Sequence, residues 1–265
     1  MKVVLFCGGL GTRLREYTGE VPKPMVKIGY RPILWHVMKY YAHFGHTDFV
    51  LCLGYKADVI KEFFLRYEEW ISNDFTLSKG GKELILENND IENWTISFVD
   101  TGLHANIGER LVAVRNYVQD AEIFLANYSD GLTDLDLNAM IRQFRAGDKV
   151  ASFMAVPPSQ SFHLVDLDAD GHVASLRSVT ESNLLINAGF FVLRQEIFDY
   201  IEPGEELVQA PFGRLIKDRK LHGFQYDRFW CMDTFKEQQQ LTDLYHSGHA
   251  PWEVWKAGRV VVPAR

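Results

Sequence analysis

The sequence predicts an α/β fold, a single doubly wound and mostly parallel sheet with an antiparallel β subregion inserted in its second half. Three observations predict it. Short apolar, β-branched runs alternate with helical patterns through the first half of the chain. Those runs are continuous rather than alternating, as strands buried on both faces are. Between about 150 and 193, by contrast, strand-like runs succeed one another with only turn signals between them.

In order along the chain, residues 2–7 (KVVLFC), 48–53 (DFVLCL), 95–99 (TISFV) and 122–128 (EIFLANY) read as strands. Between the first two, Pro32 suits the first turn of a helix and Gly45 the position just past its end. Ile33, Leu34, Val37, Met38, Tyr41 and Phe44 then fall on one helical stripe. Further helices are expected over 57–67 and from Gly108 to Tyr117. This β-α-β-α order puts ligands at the carboxyl ends of the strands. Strands follow at about 150–156, 163–168, 172–178 and 184–193, with "DADG" (168–171) as a turn. This antiparallel cluster is expected to cover the sheet edge and one side of the pocket. Late strands in "LHGFQYDRFWCMDT" (221–234) precede a closing helix over 235–247. No linker, repeat or low-complexity segment interrupts the 265 residues.

Hydrophobic residues make up 47% of the chain and charged residues 24%, enough for a sizeable core and unlike a disordered chain. The formal charge of -7 argues against a general nucleic-acid binder. It still allows a local cationic pocket. Cys7, Cys52 and Cys231 are too few and too scattered for a disulfide framework or a zinc signature. Cys7 and Cys52 sit in apolar runs and read as small buried hydrophobes. His36, His43 and His46 read as solvent or edge residues without a metal role. No stretch approaches the ~20 apolar residues of a membrane span, and the opening run is short for a signal peptide. The expectation is a soluble, cytoplasmic protein.

The first strand runs into "GGLGTRLREYTGEVPKPM", residues 8–25. Gly8, Gly9 and Gly11 let a ligand approach the backbone closely, and the N–H groups of such a turn suit an anion. Arg13 follows the turn and can grip phosphate oxygens with two parallel bonds. Lys23 stands between Pro22 and Pro24, which fix the local backbone and so limit where the ammonium points. The loop lacks the Lys-Ser/Thr ending of a P-loop and the spacing of a dinucleotide fingerprint. A nicotinamide-dependent oxidoreductase would not explain Arg13, Lys23 or Asp130.

"GGLGTRL…KPM" resembles the signature of the sugar-phosphate nucleotidyltransferases. "PILWHVMKYY", "GYKADVIKEFF", "VDTG", "FLANYSDGLTDLDL", "INAGFFVL", "FWCMDT" and "APW" follow in that family's order and bring the likeness closest to its glucose-1-phosphate cytidylyltransferase branch. The likeness spans about residues 2–255 and implies a Rossmann-like nucleotidyltransferase domain over 1–255. Its nucleotide-binding half would cover about 1–135 and its acceptor-binding half about 136–255, leaving a tail at 256–265.

The resemblance implies an enzyme joining CTP to a sugar 1-phosphate, glucose 1-phosphate first, to give a CDP-sugar and pyrophosphate. It implies Mg²⁺ held by Asp130 and Asp233, and a homo-oligomer. The loop residues Gly8, Gly9, Leu10, Gly11 and Thr12 would bind the nucleotide together with Gly102, Gly108 and Arg110. Arg13 would stabilise the transferring phosphate and the leaving pyrophosphate, and Lys23 the α-phosphate. Asn187, Gly189 and Trp230 would line the acceptor side.

Two positions depart from the family pattern. A Glu-Lys-Pro motif whose lysine grips the acceptor phosphate is replaced by "LRSVTESNLLINAG", where Arg177 is the only cation nearby. Ala210 stands where an acidic residue usually precedes a proline. Both changes fall in the acceptor half. They leave open the same CTP chemistry on a different phosphate or phosphonate acceptor, or the standard acceptor held by Arg177 or Arg228. A nucleotide-binding regulator without turnover is the further alternative.

Overall fold

The computed structural model describes residues 1–9, 11, 21–159 and 162–256. Strand β1 (Lys2–Phe6) pairs in parallel with β4 (Asp48–Leu53) on one side and β8 (Ile123–Tyr128) on the other. Strand β7 (Thr95–Asp100) adds in parallel beyond β4. Two short pairs lie off the main sheet: β2 (Lys27–Ile28) with β3 (Arg31–Pro32), and β5 (Phe75–Ser78) with β6 (Glu83–Leu86). The chain thus lays strands outward from β1 to β7, then returns to the other side of β1. That reversal makes a crevice at the carboxyl ends of β1 and β8, where doubly wound sheets bind ligands.

Past β8 the sheet turns antiparallel. A short β9 (Gly131–Thr133) leads on to β10 (Ala151–Val156), and the exposed hairpin β11 (His163–Leu167) and β12 (Val173–Ser178) forms a sheet of its own. Strands β13 (Ile186–Asn187) and β14 (Phe191–Arg194) both run antiparallel to β10, and β14 joins β8. Strand β15 (Leu221–Gln225) pairs with β10, and β16 (Phe229–Cys231) pairs with β9. The antiparallel extension expected from the sequence is therefore real. Its hairpin at 168–171 turns as read: Asp168 Oδ1 accepts from the N–H groups of Asp170 and His172, and Gly171 has φ +84°.

Helices cover both faces. On one pack α1 (Ile33–His43), α2 (Ala57–Leu65), α5 (Leu137–Arg145) and α7 (Phe235–His246), with Trp252 fully buried among them. The other face carries α3 (Ile107–Ala113), α4 (Arg115–Val118) and α6 (Ala210–Lys217). Cys7 and Cys52 are fully buried, and burial pushes the Cys52 thiol up to about 12. No described helix is long and apolar enough to cross a membrane.

Three expectations need correction. The helix from 108 to 117 is two, because Val114 (φ -102°, ψ 8°) breaks the spiral and drops its side chain into the core. The strand over 184–193 is interrupted at Gly189 and Phe190, both at positive φ. There the Asn127 side chain accepts the Phe190 N–H at 2.8 Å in place of a sheet partner. His36 and His46 are buried rather than at solvent. His36 is 1% exposed, ringed by Trp35, Tyr245 and Trp252, and its Nε2–H donates to the Ile28 carbonyl.

Candidate functional site

Three residues from distant parts of the chain meet at the crevice. Lys23 begins a single 3-10 turn (Lys23–Met25) set up by Pro22 at φ -68°. Its Nζ donates at 2.5 Å to Asp130 Oδ2 and at 2.5 Å to Asp233 Oδ1. The β9–β16 pairing explains how the two aspartates come together. Gly131 faces Cys231, and the Met232 N–H donates to the Asp130 carbonyl, so residues 130 and 233 leave the ladder side by side. Gly131 is needed there, since a Cβ would sit 2.7 Å from the Phe229 ring.

Burial alone would lower the Lys23 pKa, but the two carboxylates outweigh it and the ammonium is held above its usual range. Asp233 is not the helix cap. Thr234 caps α7, accepting the Glu237 N–H, while Glu237 takes the N–H of Asp233 and Thr234. The Asp233 carboxylate is left to face the crevice, where two carboxylates already converge on one cation.

The glycine turn forms the adjoining wall. Gly8, Gly9 and Gly11 line a cavity of about 350 Å³ together with Lys23, Asp130 and Asp233. Leu10, Thr12 and Arg13 lie outside the described residues. Gly8 has no room for a side chain: a Cβ there would lie 2.1 Å from Arg110 Nη1. Arg110 is 3% exposed and acts as a strut. Its guanidinium donates to the carbonyls of Gly8 (3.1 Å), Leu53 (3.0 Å) and Leu103 (3.4 Å) and to Thr101 Oγ1 (2.7 Å). One side chain therefore ties the loops that follow β1, β4 and β7. No carboxylate among the described residues makes an ion pair with it, so its charge adds to a cavity suited to anions.

Other expected residues take different places. Gly102 has φ +95° in the loop after β7 and donates its N–H to Asp100 Oδ1. Gly108 is a packing glycine: a Cβ would collide with the Glu205 carbonyl at 2.1 Å. Asn187 Oδ1 accepts the Gly189 N–H, and Gly189 lies against Asn127. Trp230 stands edge-on to Trp252 and lines a second cavity of about 380 Å³ beside Phe162, Thr234 and Lys236. Arg177 is exposed on β12, paired with Asp166 at 3.0 Å, and Arg228 pairs with Asp134. None of Arg177, Asn187, Gly189, Trp230 or Arg228 lines the glycine-walled cavity.

Sequence reasoning missed Tyr128, Ser129, Asn106 and Glu206, which do line it. Ser129 Oγ donates to the Phe6 carbonyl and locks the ends of β1 and β8 together. Burial, then the nearby Glu206 and Asp130 carboxylates, push the Tyr128 hydroxyl up to about 12. Asn106 caps α3 reciprocally with Glu109, and that Asn-x-x-Glu spacing was readable. Glu206 carried no local signal.

A nucleotidyl transferase family model matches residues 2–230. The chain is 40% identical over 259 residues to a glucose-1-phosphate cytidylyltransferase of Salmonella typhi, covering 97% of this chain and 100% of that protein. It is 36% identical over 258 residues to a probable glucose-1-phosphate cytidylyltransferase of Bacillus subtilis (strain 168), covering 96% and 100%. Among solved structures, a UDP-glucose pyrophosphorylase complexed with UDP-glucose superposes with a TM-score of 0.67 at 14% identity, covering 93% of this chain and 98% of that one. HddC from Yersinia pseudotuberculosis gives 0.63 at 22%, covering 92% and 99%. At those identities the structural likeness speaks for the fold.

Proposed function

The chain belongs to the nucleotidyl transferase family, and from that premise we propose that it joins CTP to glucose 1-phosphate, giving CDP-glucose and pyrophosphate. The observation that carries the reading is the meeting of Lys23, Asp130 and Asp233 at the glycine-walled cavity. The donor and acceptor follow the relatives that match along their whole length.

The chemistry asks little of a protein base. A phosphate monoester is mostly dianionic near neutral pH, its second pKa being about 6. An acceptor oxygen attacks the α-phosphorus of CTP, the new P–O bond forms, and the bond to the β-phosphate breaks with its electron pair leaving on pyrophosphate. The barrier lies in bringing anions together, so positioning and cations carry the catalysis. Asp130 and Asp233 fit Mg²⁺, an oxygen-only pair converging on one cation. Bound there, the ion supplies charge neutralisation at the phosphates. Lys23 offers its ammonium to the α-phosphate, Arg110 holds the glycine turn in shape, and the turn's N–H groups receive phosphate oxygens. Arg13 belongs to the same reading as the grip on pyrophosphate.

A second reading keeps CTP but changes the acceptor. The stretch from Leu176 to Gly189 contains no lysine, and Arg177 is engaged by Asp166 on an exposed hairpin. Pyrophosphate release with Mg²⁺ tests both, crossing four nucleoside triphosphates against hexose 1-phosphates, other sugar phosphates and simple phosphonates. Turnover with CTP and glucose 1-phosphate supports the first reading. Turnover with CTP and another acceptor supports the second, and binding without turnover sinks both.

A further inference from the structure

The glycine-walled cavity has two ends. At one, Lys23, Asp130 and Asp233 gather the charges suited to the phosphates, an assignment that rests on the function proposed above. The nucleoside must then extend toward the other, where Asn106, Ile107 and Glu206 line the same cavity. Asp130 follows β8, whereas Asn106 and Ile107 open α3 beyond β7, so the two groups line the cavity from opposite sides of β1 and β4.

The polar groups at the far end are almost all spent. Asn106 accepts the Glu109 N–H and donates to the Gly204 carbonyl. Arg110 has used its guanidinium on three carbonyls and Thr101. The Ile107 N–H donates to Glu206 Oε2 at 3.2 Å. Glu206 Oε1 makes no hydrogen bond among the described residues. A carboxylate oxygen with free lone pairs thus remains at the end of the cavity away from the phosphates.

This oxygen is held by a built frame. Glu205, its neighbour, is gripped by both terminal nitrogens of Arg214 at 2.6 Å. Asn106 fixes the Gly204 carbonyl at 2.9 Å, and the bare Cα of Gly108 lets the Glu205 carbonyl lie against α3. A loop from late in the chain is thereby fastened to the start of α3 on both sides of the residue that faces inward.

We propose that Glu206 reads the donor base, its free oxygen accepting a hydrogen bond from the exocyclic amine of cytosine. A carboxylate accepting from the cytosine amine is a good chemical match. Uracil offers a carbonyl oxygen at that position, and a carboxylate has no proton to give it. Turning uracil to present its ring N–H would bring a carbonyl oxygen against the carboxylate on each side. Specificity arises because the wrong base leaves a charged acceptor facing lone pairs.

The test is kcat/KM for CTP and UTP in the wild type, Glu206→Gln and Glu206→Ala, with Mg²⁺ and the acceptor the wild type uses. Glutamine keeps the shape, still accepts the Ile107 N–H, and can donate to a carbonyl. The CTP/UTP ratio should fall about tenfold to a hundredfold in Glu206→Gln, with KM for CTP rising and UTP gaining activity. Alanine should lose the preference without the gain. A wild type that prefers CTP, with variants that slow both nucleotides equally, overturns the inference and leaves Glu206 a helix cap. A wild type without a CTP preference sinks the CTP reading itself. If the glutamine variant unfolds, Glu206→Asp draws the oxygen back by one methylene. It should raise KM for CTP and leave UTP unchanged, and an unchanged CTP KM counts against the proposal.

Discussion

Lys23 and Arg177 are both cations that the sequence offers to a phosphate, and they end in opposite circumstances. The Lys23 side chain is 14% exposed and clamped by two carboxylates on rigid strand ends. The Arg177 side chain is 58% exposed, on a hairpin whose two strands pair only with each other, and it is bonded to one neighbour. The Lys23 clamp is set by packing from several elements at once, while the 163–178 hairpin is set by its own turn and few tertiary contacts. A charge can serve a reaction when its direction is fixed, and of these two cations Lys23 has its direction fixed.

Asp130→Ala and Asp233→Ala should sharpen this most. Each is expected to lower kcat by roughly a thousandfold, since each removes half of the converging pair. Pyrophosphate release against Mg²⁺ concentration checks it, and retained turnover would take that residue out of the site. Gly8→Ala comes next. Its methyl must displace the Arg110 guanidinium, so a loss of about tenfold in kcat/KM and of about 1–3 kcal/mol in stability is expected. A variant with unchanged kinetics and Tm would show that the donor wall is not rigid.

Acid should weaken the fold around Lys23 through His36, which supports the strand following Lys23. Burial lowers its pKa to about 4, so between pH 6.5 and 4 the unfolded chain holds a proton there that the folded one does not. Stability should therefore fall with pH through that window by about 1.4 kcal/mol per unit. His36→Gln should flatten the slope in denaturant titrations, and an unaltered slope would assign the acid sensitivity elsewhere. The smallest effect is expected of Arg177→Ala, within about threefold in acceptor KM, because an exposed ion pair contributes little. A much larger change would break the comparison and return the hairpin to the site.

The sheet and Lys23 were legible for a physical reason. Buried parallel strands have to be continuous apolar runs, and Pro22 and Pro24 fix the backbone on either side of Lys23. Asp130 and Asp233 came together only through the family resemblance, because about a hundred residues separate them and no local pattern links them. Arg110 was legible as a candidate but not as a strut, because its partners lie after three different strands. Glu206 sits in "EPGEELVQ", which reads as a polar loop; its place depends on Gly108 and Arg214, which no local pattern links to it. Helix α5 carries a plain local signal. Asp136 caps it, and Leu137, Met140, Ile141 and Phe144 form its buried stripe. His36 lies off the apolar stripe of α1, and its burial comes from Trp35, Tyr245 and Trp252, two of which lie about two hundred residues away in the sequence.

The burial of Trp252 against α1 also orders events during synthesis. Helix α1 emerges early, yet the tryptophan that seals its far side comes some two hundred residues later. At roughly 5–20 residues per second the ribosome keeps that apolar stripe uncovered for tens of seconds. Asp233 is made about a hundred residues after Asp130 and shortly before Trp252. The nascent chain therefore carries an open core and an incomplete Lys23 clamp until the segment from Asp233 to Trp252 has been made, and both close together.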